Sequence, residues 1–292
     1  MKKSAIVAVM LAVLLASLVP GIAGAAMHRV TEGQSIQDAI DAASDGDVIV
    51  VGPGTYTESV IVNKSVSIKG AGADVTTVES PDGTTVFAVV ASNVSISGCT
   101  IKGATDLNNA GILIGGRFPG DASWGVTNVK VSKNIIENNA FGIYIWKSSA
   151  NSIVNNVVRY NCSVPAHIYQ GGTGIIVWDQ PGGQDVNNLI KNNEVYYNYK
   201  FGIFVGADAD MNADGTKING NKLHRNGAYW DIGAGDRNWL GMGFMNAMGT
   251  ISVHGNNVFP TSSGLDYWVW NCPGLVLDGT PSYGGIPVPP AP

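Results

Sequence analysis

The sequence predicts an all-β chain, a single-stranded right-handed parallel β-helix (a solenoid) with a short N-terminal capping helix. Three observations carry that expectation: an Asn recurring in one slot of a repeat, a Gly-led apolar strand recurring in another, and an amphipathic segment ahead of the first repeat. The first slot holds Asn134, Asn156, Asn193, Asn221 and Asn256, with Cys99 in the same frame. Each has an aliphatic residue three positions earlier (Val131, Ile153, Ile190, Ile218, Val253 and Ile96) and another two positions later. A second Asn follows five residues on, at Asn139, Asn161, Asn198 and Asn226. The Gly-led strands open at Gly111, Gly142, Gly174 and Gly202.

Each feature has a physical role. Two short strands per turn, each alternating Ile or Val, put one apolar row inside. Gly and Asn tolerate the left-handed backbone needed where strands bend. Asn side chains in successive coils stack, each amide bonding the next across about 4.8 Å. A single coil cannot bury its own apolar row, so stacking makes the core, and roughly seven to nine coils are expected. The step from Asn134 to Asn156 is a bare coil of about 22 residues, and longer steps carry loop insertions. A leucine-rich repeat would need Leu at fixed slots, where it is sparse. A β-sandwich would not keep the Asn and Gly slots in phase.

Taken in chain order, residues 1–26 read as a secretory signal: basic Lys2 and Lys3, an apolar run over 5–19, Pro20, then small Ala23, Gly24 and Ala25. The run is short for a membrane span and ends in helix breakers, so cleavage after Ala25 or Ala26 is expected. The β-helix is assigned to residues 27–278. Ser35 is the expected N-cap of a helix with Ile36, Ala39, Ile40 and Ala43 on one face, ended by Gly46. That helix would cover the open N-terminal coil. Residues 279–292 form a Pro/Gly-rich tail.

Composition narrows the partners. The net charge is −5, more negative still without Lys2 and Lys3, which argues against nucleic acid. Only 13% of residues are charged, so Asn, Ser, Thr and Gly carry solubility. No later stretch is long and apolar enough to cross a bilayer. Three cysteines, Cys99, Cys162 and Cys272, permit at most one internal disulfide and lack metal-ligand spacing. Small buried hydrophobes is their plainer reading.

The opening of the repeat region carries a resemblance. Gln37 to Ile40, Gly46 to Val50, Gly52-Pro53-Gly54-Thr55-Tyr56 and Val66 to Gly70, followed by the Asn coils, resemble secreted β-helix proteins of the pectin-lyase-like superfamily, nearest its NosD and carbohydrate-binding/sugar-hydrolase branch. The resemblance spans about residues 28–270. It implies a secreted, extracellular or cell-surface protein that binds or processes polysaccharide, with some members accessory to metal-enzyme maturation; fold does not settle which. The pectin-esterase Gln-Asp pair is not seen in its usual setting. The polygalacturonase Asn-Thr-Asp, Asp-Asp, Gly-His-Gly and Arg-Ile-Lys set and a pectate-lyase type Trp-Ile-Asp-His segment are absent.

Alternation along the Gly-led strands turns Ile112/Ile114, Ile143/Ile145, Ile175/Val177 and Ile203/Val205 inward. Leu113, Tyr144, Ile176 and Phe204 then face outward, followed by Gly115, Trp146, Trp178 and Gly206. Tyr144, Trp146, Trp178 and Phe204 are the candidate carbohydrate-binding residues, because flat aromatics on a rigid sheet suit stacking on sugar rings. The competing reading buries them beneath the insertions at 119–124 and 182–188. Arg117, Lys147, Asp179 and Asp208 flank this face at matching offsets and are the weak catalytic candidates; a structural charge ladder is the alternative. Lyases of the resembled family pair a basic residue with calcium beside a uronate, which implies Lys147 or Arg117 as base and Asp179 or Asp208 near the ion. Asp208, Asp210, Asn212 and Asp214, closed by Gly215, read as a Ca²⁺ loop with oxygens at every second position. Asn221 stands where a bidentate acid belongs, and a polar turn is the alternative. The segment 229–239 sets Asp231, Asp236 and Arg237 among aromatics, as a second small site or a lid. The expected function is a surface or secreted protein that binds carbohydrate or polysaccharide without catalysis. A Ca²⁺-dependent polysaccharide lyase or glycoside hydrolase, and a purely structural surface module, are the alternatives.

Overall fold

The computed structural model describes residues 24–116, 125–162, 171–179, 184–227, 241–258 and 267–277. Residues 1–23 of the expected signal, Arg117, the segment 229–239 and the tail 279–292 lie outside them.

The capping helix spans Ile36–Ala42. Ser35 Oγ accepts from Asp38 N at 3.1 Å, satisfying one of the free N–H groups of the first turn. Glu58, on the first coil, accepts from Ile36 N (2.7 Å) and Gln37 N (3.2 Å), placing a carboxylate at the helix N-terminus. At the other end Lys64 Nζ donates to the carbonyls of Asp41 and Ala43. The chain leaves the helix at Ala43, three residues before the expected Gly46. Ile36 and Ile40 are fully buried against the open first coil. Among the described residues no helix is long and apolar enough to cross a membrane.

Among the described residues three long parallel sheets wind around one core, beside a short parallel pair of Val126–Thr127 with Ser148–Ser149. The first has ten strands, from Met27–Val30 to Leu275–Leu277; the second has eight, from Gly54–Thr57 to Asn257–Val258; the third has eight, from Val60–Val62 to Tyr267–Trp270. Eight successive coils each give one strand to every sheet, within the expected count. Each coil therefore has three strands, not the two read from sequence. The third arises because the residue before each ladder Asn is left-handed: Lys133 (φ 58°), Asn155 (57°) and Asn192 (54°). One such residue bends the chain by itself, so Lys130–Ser132 and Ile135–Glu137 belong to different sheets.

The ladders form as expected and are buried except at Asn256, which is half-buried. Asn134 Nδ2 donates to Asn156 Oδ1 (3.2 Å), Asn156 to Asn193 (3.0 Å), Asn193 to Asn221 (3.0 Å) and Asn221 to Asn256 (2.9 Å). Cys99 heads this ladder through its N–H, which donates to Asn134 Oδ1 at 3.1 Å. A second ladder joins Asn139, Asn161, Asn198 and Asn226 at 2.9–3.2 Å. A third, not anticipated, pairs Asn151 with Asn188 at 3.0 Å.

The Gly-led slots have a different cause from the one expected. Gly142, Gly174 and Gly202 are not left-handed. A Cβ on Gly142 would stand 2.4 Å from Gly174 O and 2.9 Å from Asn161 Nδ2. Glycine is required there because a ladder amide and the next coil pass too close for a side chain. The paired inward positions from Ile112/Ile114 to Ile203/Val205 are all fully buried. None of the three cysteines forms a disulfide. Cys99 is buried, and desolvation pushes its thiol up to about 12.

Asn156→Ala removes donors to Val131 O and Asn193 Oδ1 and strands the N–H of Asn134 in the core. Urea unfolding should show a loss of about 3–5 kcal/mol, since each buried unsatisfied group costs about 1–3 kcal/mol. Asn128→Ala, at an exposed corner, should cost under about 1 kcal/mol. Equal losses would show that the ladder is not what holds the coils.

Candidate functional site

The outward face of the third sheet is set by the register Leu113↔Tyr144↔Ile176↔Phe204 and, two residues on, Trp146↔Trp178↔Gly206↔Met245↔Trp270. Most of the first half of this face is not open to a ligand. Tyr144 and Trp146 are 5% exposed and Phe204 6%. With Leu113, Phe141, Ile176 and Phe201 they form a second apolar cluster outside the solenoid core. Tyr144 meets Phe141 and Trp146 edge-on, at 5.1 and 5.8 Å between centroids. The expected open platform is therefore corrected for Tyr144, Trp146 and Phe204. So large an apolar area favours burial over hydration, which is the competing reading stated above.

The face re-emerges toward the last coils. Trp178 and Met245 are half-buried, and Trp270 is 40% exposed. Gly206 lies between Trp178 and Met245, where a Cβ would strike Met245 O at 2.5 Å. A polar row runs alongside. Asn271 Nδ2 donates to Asn246 Oδ1 (3.0 Å) and Asp210 Oδ1 (3.2 Å), and Asn246 Nδ2 donates to Ala207 O (3.1 Å). Asn246 and Asn271 are both left-handed, with φ of 50° and 49°; Asn271 follows the strand Tyr267–Trp270, and Asn246 lies within Met242–Met248. Met245, Asn246, Trp270 and Asn271 escaped sequence reasoning because the last two coils lack the Gly-Ile signature.

Of the catalytic candidates, the structure brings Lys147 and Asp179 together and adds Asp185. The register puts Ala207, not Asp208, in their slot, so Asp208 is one residue out of the expected line. Its side chain, like Arg117, lies outside the described residues. Lys147 Nζ sits 5.8 Å from the Trp146 ring centroid. Ser148 N donates to Asp185 Oδ1 at 2.6 Å, and Gln184 N donates to Asp179 Oδ2 at 3.1 Å. Asp185 Oδ2 is buried and meets no donor. Desolvation, with the Asp179 carboxyl beside it, pushes Asp185 up to about 8, against the opposing pull of the Ser148 N–H and Lys147. At neutral pH Asp185 is therefore the neutral acid. Both residues are almost wholly buried, so the pair is closed to a polymeric substrate.

The expected calcium loop is a strand. Ile203–Asn212 is extended, with Asp210 and Asn212 turned outward and Met211 and Ala213 inward. On an extended strand outward residues are spread along a line about 7 Å apart, whereas a Ca²⁺ loop wraps its alternate residues round one point. The chain itself takes up one side-chain oxygen of each of Asp210, Asn212 and Asp214. Asn271 donates to Asp210, Asp214 N to Asn212 Oδ1 (3.0 Å) and Thr250 N to Asp214 Oδ1 (2.8 Å). Among the described residues no group of three or more His, Cys, Asp or Glu side chains is placed to hold a metal ion.

Stacked coils, amide ladders and an outward aromatic row define the class. The sequence matches the family described as the right-handed β-helix region across residues 59–258, and the chain belongs to that family. A cell surface glycoprotein of Methanothermus fervidus is 32% identical over 193 residues, covering 63% of this chain and 29% of that protein. The chain thus spans less than a third of that relative's length. Among solved structures, pectate lyase Pel9A aligns with a TM-score of 0.59 at 16% identity, covering 89% of this chain and 80% of that one. An alginate lyase from Paenibacillus aligns at 0.51 and 16%, covering 85% and 98%. These two likenesses concern the fold alone.

Two predictions follow from the geometry. Folded Asp185 keeps its proton up to about pH 8, while an unfolded Asp loses it near pH 4. The folded state binds more protons across that window, so stability falls as pH rises from about 4 to about 8. Asp185→Asn keeps an oxygen for Ser148 and gives Asp179 an N–H donor. It should flatten that pH dependence, gaining on the parent by up to about 1.4 kcal/mol per pH unit as pH rises from about 4 to about 8, and match the parent near pH 4.5. Parallel pH profiles for the two proteins would refute the neutral Asp185. Separately, thermal unfolding in chelator and in millimolar CaCl₂ should give the same midpoint; a rise with Ca²⁺ would restore the loop reading of residues 208–214.

Proposed function

We propose that this chain is a cell-surface β-helix module that binds polysaccharide or a glycoconjugate without processing it. The observation that carries the proposal is the emerging row Trp178, Met245 and Trp270, bordered by Asn246, Asn271 and Asp210. Three coil steps separate Trp178 from Trp270, about 14 Å along the axis, the scale of a short oligosaccharide. Apolar ring and thioether surface suits the C–H faces of sugars, and amides with a carboxylate suit their hydroxyls. The name of the Methanothermus fervidus relative supports a surface location. The two lyases that share the fold are named for enzymes of pectate and alginate, which supports the ligand class. Binding without turnover is favoured because Asp179 and Asp185 are buried, and a general acid or base must reach the proton it transfers.

The test is a panel of uronate-containing and neutral glycans, read for binding and for turnover. Trp178→Ala combined with Trp270→Ala should weaken binding at least about tenfold, or about 1.4 kcal/mol, and Trp270→Ala alone should weaken it with the unfolding midpoint little changed. Trp146→Ala should instead lower stability, because its ring is buried. New reducing ends or unsaturated uronate absorbance would make the protein an enzyme. No binding to any glycan would leave a structural surface module.

A further inference from the structure

The chain contains three Asn-X-Ser triplets that the architecture does not explain: Asn63-Lys64-Ser65, Asn93-Val94-Ser95 and Asn161-Cys162-Ser163. This triplet is the acceptor for N-linked glycans on exported chains, and it marks a surface position when used. The fold separates the three sharply.

Asn63 and Asn93 lie on neighbouring coils, at the corner between the third and first sheets. The register Val62↔Val89 and Ser67↔Ser95 brackets them. Both are exposed. Around Asn63 the neighbouring side chains are committed: Lys64 Nζ to the helix carbonyls, and Ser65 Oγ to Ser92 O at 2.8 Å. No side-chain hydrogen bond of Asn63 itself is present among the described residues. Asn93 is left-handed (φ 60°) and accepts from Asn128 Nδ2 at 2.8 Å through its Oδ1. That leaves its Nδ2 outside the bonding. Val94, fully inside, anchors this corner to the core.

Asn161 is the opposite case. It is fully buried, and its Nδ2 donates to Asn198 Oδ1 (2.9 Å) and Ile136 O (3.2 Å), so both amide hydrogens are used. Attaching a sugar replaces one of them with a C–N bond and needs room that the ladder lacks.

We propose that Asn63 and Asn93 are N-glycosylation sites and that Asn161 is not. In the reaction Nδ2 loses one proton and bonds to the anomeric carbon of a phosphate-activated oligosaccharide, and the phosphate-bearing carrier leaves. Each modified amide keeps its Oδ1 and one N–H, so the Asn128–Asn93 bond survives. Two glycans at this corner add hydrated surface to a chain with only 13% charged residues. They also lie in the early coils, away from Trp178 and Trp270.

The inference rests on the surface reading above. Its test uses the protein recovered from the surface and cytosolic fractions of the cells that make it. Digested peptides are analysed by mass spectrometry. Peptides bearing Asn63 and Asn93 should carry hexose-containing mass increments, and the Asn161 peptide should have its unmodified mass. Asn63→Gln with Asn93→Gln should remove all carbohydrate from the protein while leaving its unfolding transition cooperative. Surface protein with bare Asn63 and Asn93 would overturn this assignment and leave the surface reading intact. Bare protein confined to the cytosol would overturn both. Sugar on Asn161 in the folded protein would refute the structural discrimination between the sites.

Discussion

Buried side-chain amides, each bonded to the coil before and the coil after, are the constraint on which the rest of this solenoid depends. Asn156 shows the economy of the arrangement. Its Oδ1 accepts both the N–H and the side-chain Nδ2 of Asn134, and its own Nδ2 donates to Val131 O and Asn193 Oδ1. No donor or acceptor of the amide is wasted, which is the condition for burying it at all. The ladder also dictates sequence elsewhere. Asn161 Nδ2 passes so near Gly142 that only a residue without Cβ fits, and the same holds for Asn198 against Gly174 and Asn226 against Gly202. Two repeat signals that look independent in the sequence are one steric fact.

Fixed coil spacing keeps the outward rows straight, and that produces both the buried aromatic cluster and the exposed Trp270 end. It also explains the acid pair. Asp185 occupies the slot that holds Val126, Ser148 and Ala213 in neighbouring coils, three residues before Val129, Asn188, Asn151 or Thr216 in each case, and every side chain in that slot is buried. A carboxyl in an inward slot built for small or apolar groups must either find donors or remain neutral. One oxygen finds the Ser148 N–H. The other faces a second carboxyl, so the proton stays.

Some of this was legible from sequence and some was not, for physical reasons. Asn134 through Asn256 could be read because an amide ladder tolerates so few substitutes that the slot hardly varies. The inward Ile and Val rows could be read because strand alternation has a strict period. The third strand of each coil was missed because its bend needs only one left-handed residue, and Lys133, Asn155 and Asn192 carry it without a Gly or Pro signal. Burial of Tyr144, Trp146 and Phe204 was undecidable because outward-facing says nothing about what lies on top. Residues 208–214 left two readings open because alternate oxygens suit a calcium loop and a strand edge equally; the backbone is what tells them apart. Asp185 was hidden in a loop insertion, where its repeat slot has no visible phase.

The bare step between Asn134 and Asn156 has a bearing on how such a molecule changes its length. In those 22 residues lie one strand of each sheet and one member of each of the three ladders, Asn139, Asn151 and Asn156. The unit is therefore closed under copying. A tandem duplication in the gene would present the same bonding groups above and below and would add about 4.8 Å of axis without moving any existing contact. The length of the solenoid is in this sense a count of gene segments, adjustable in whole coils and in nothing smaller.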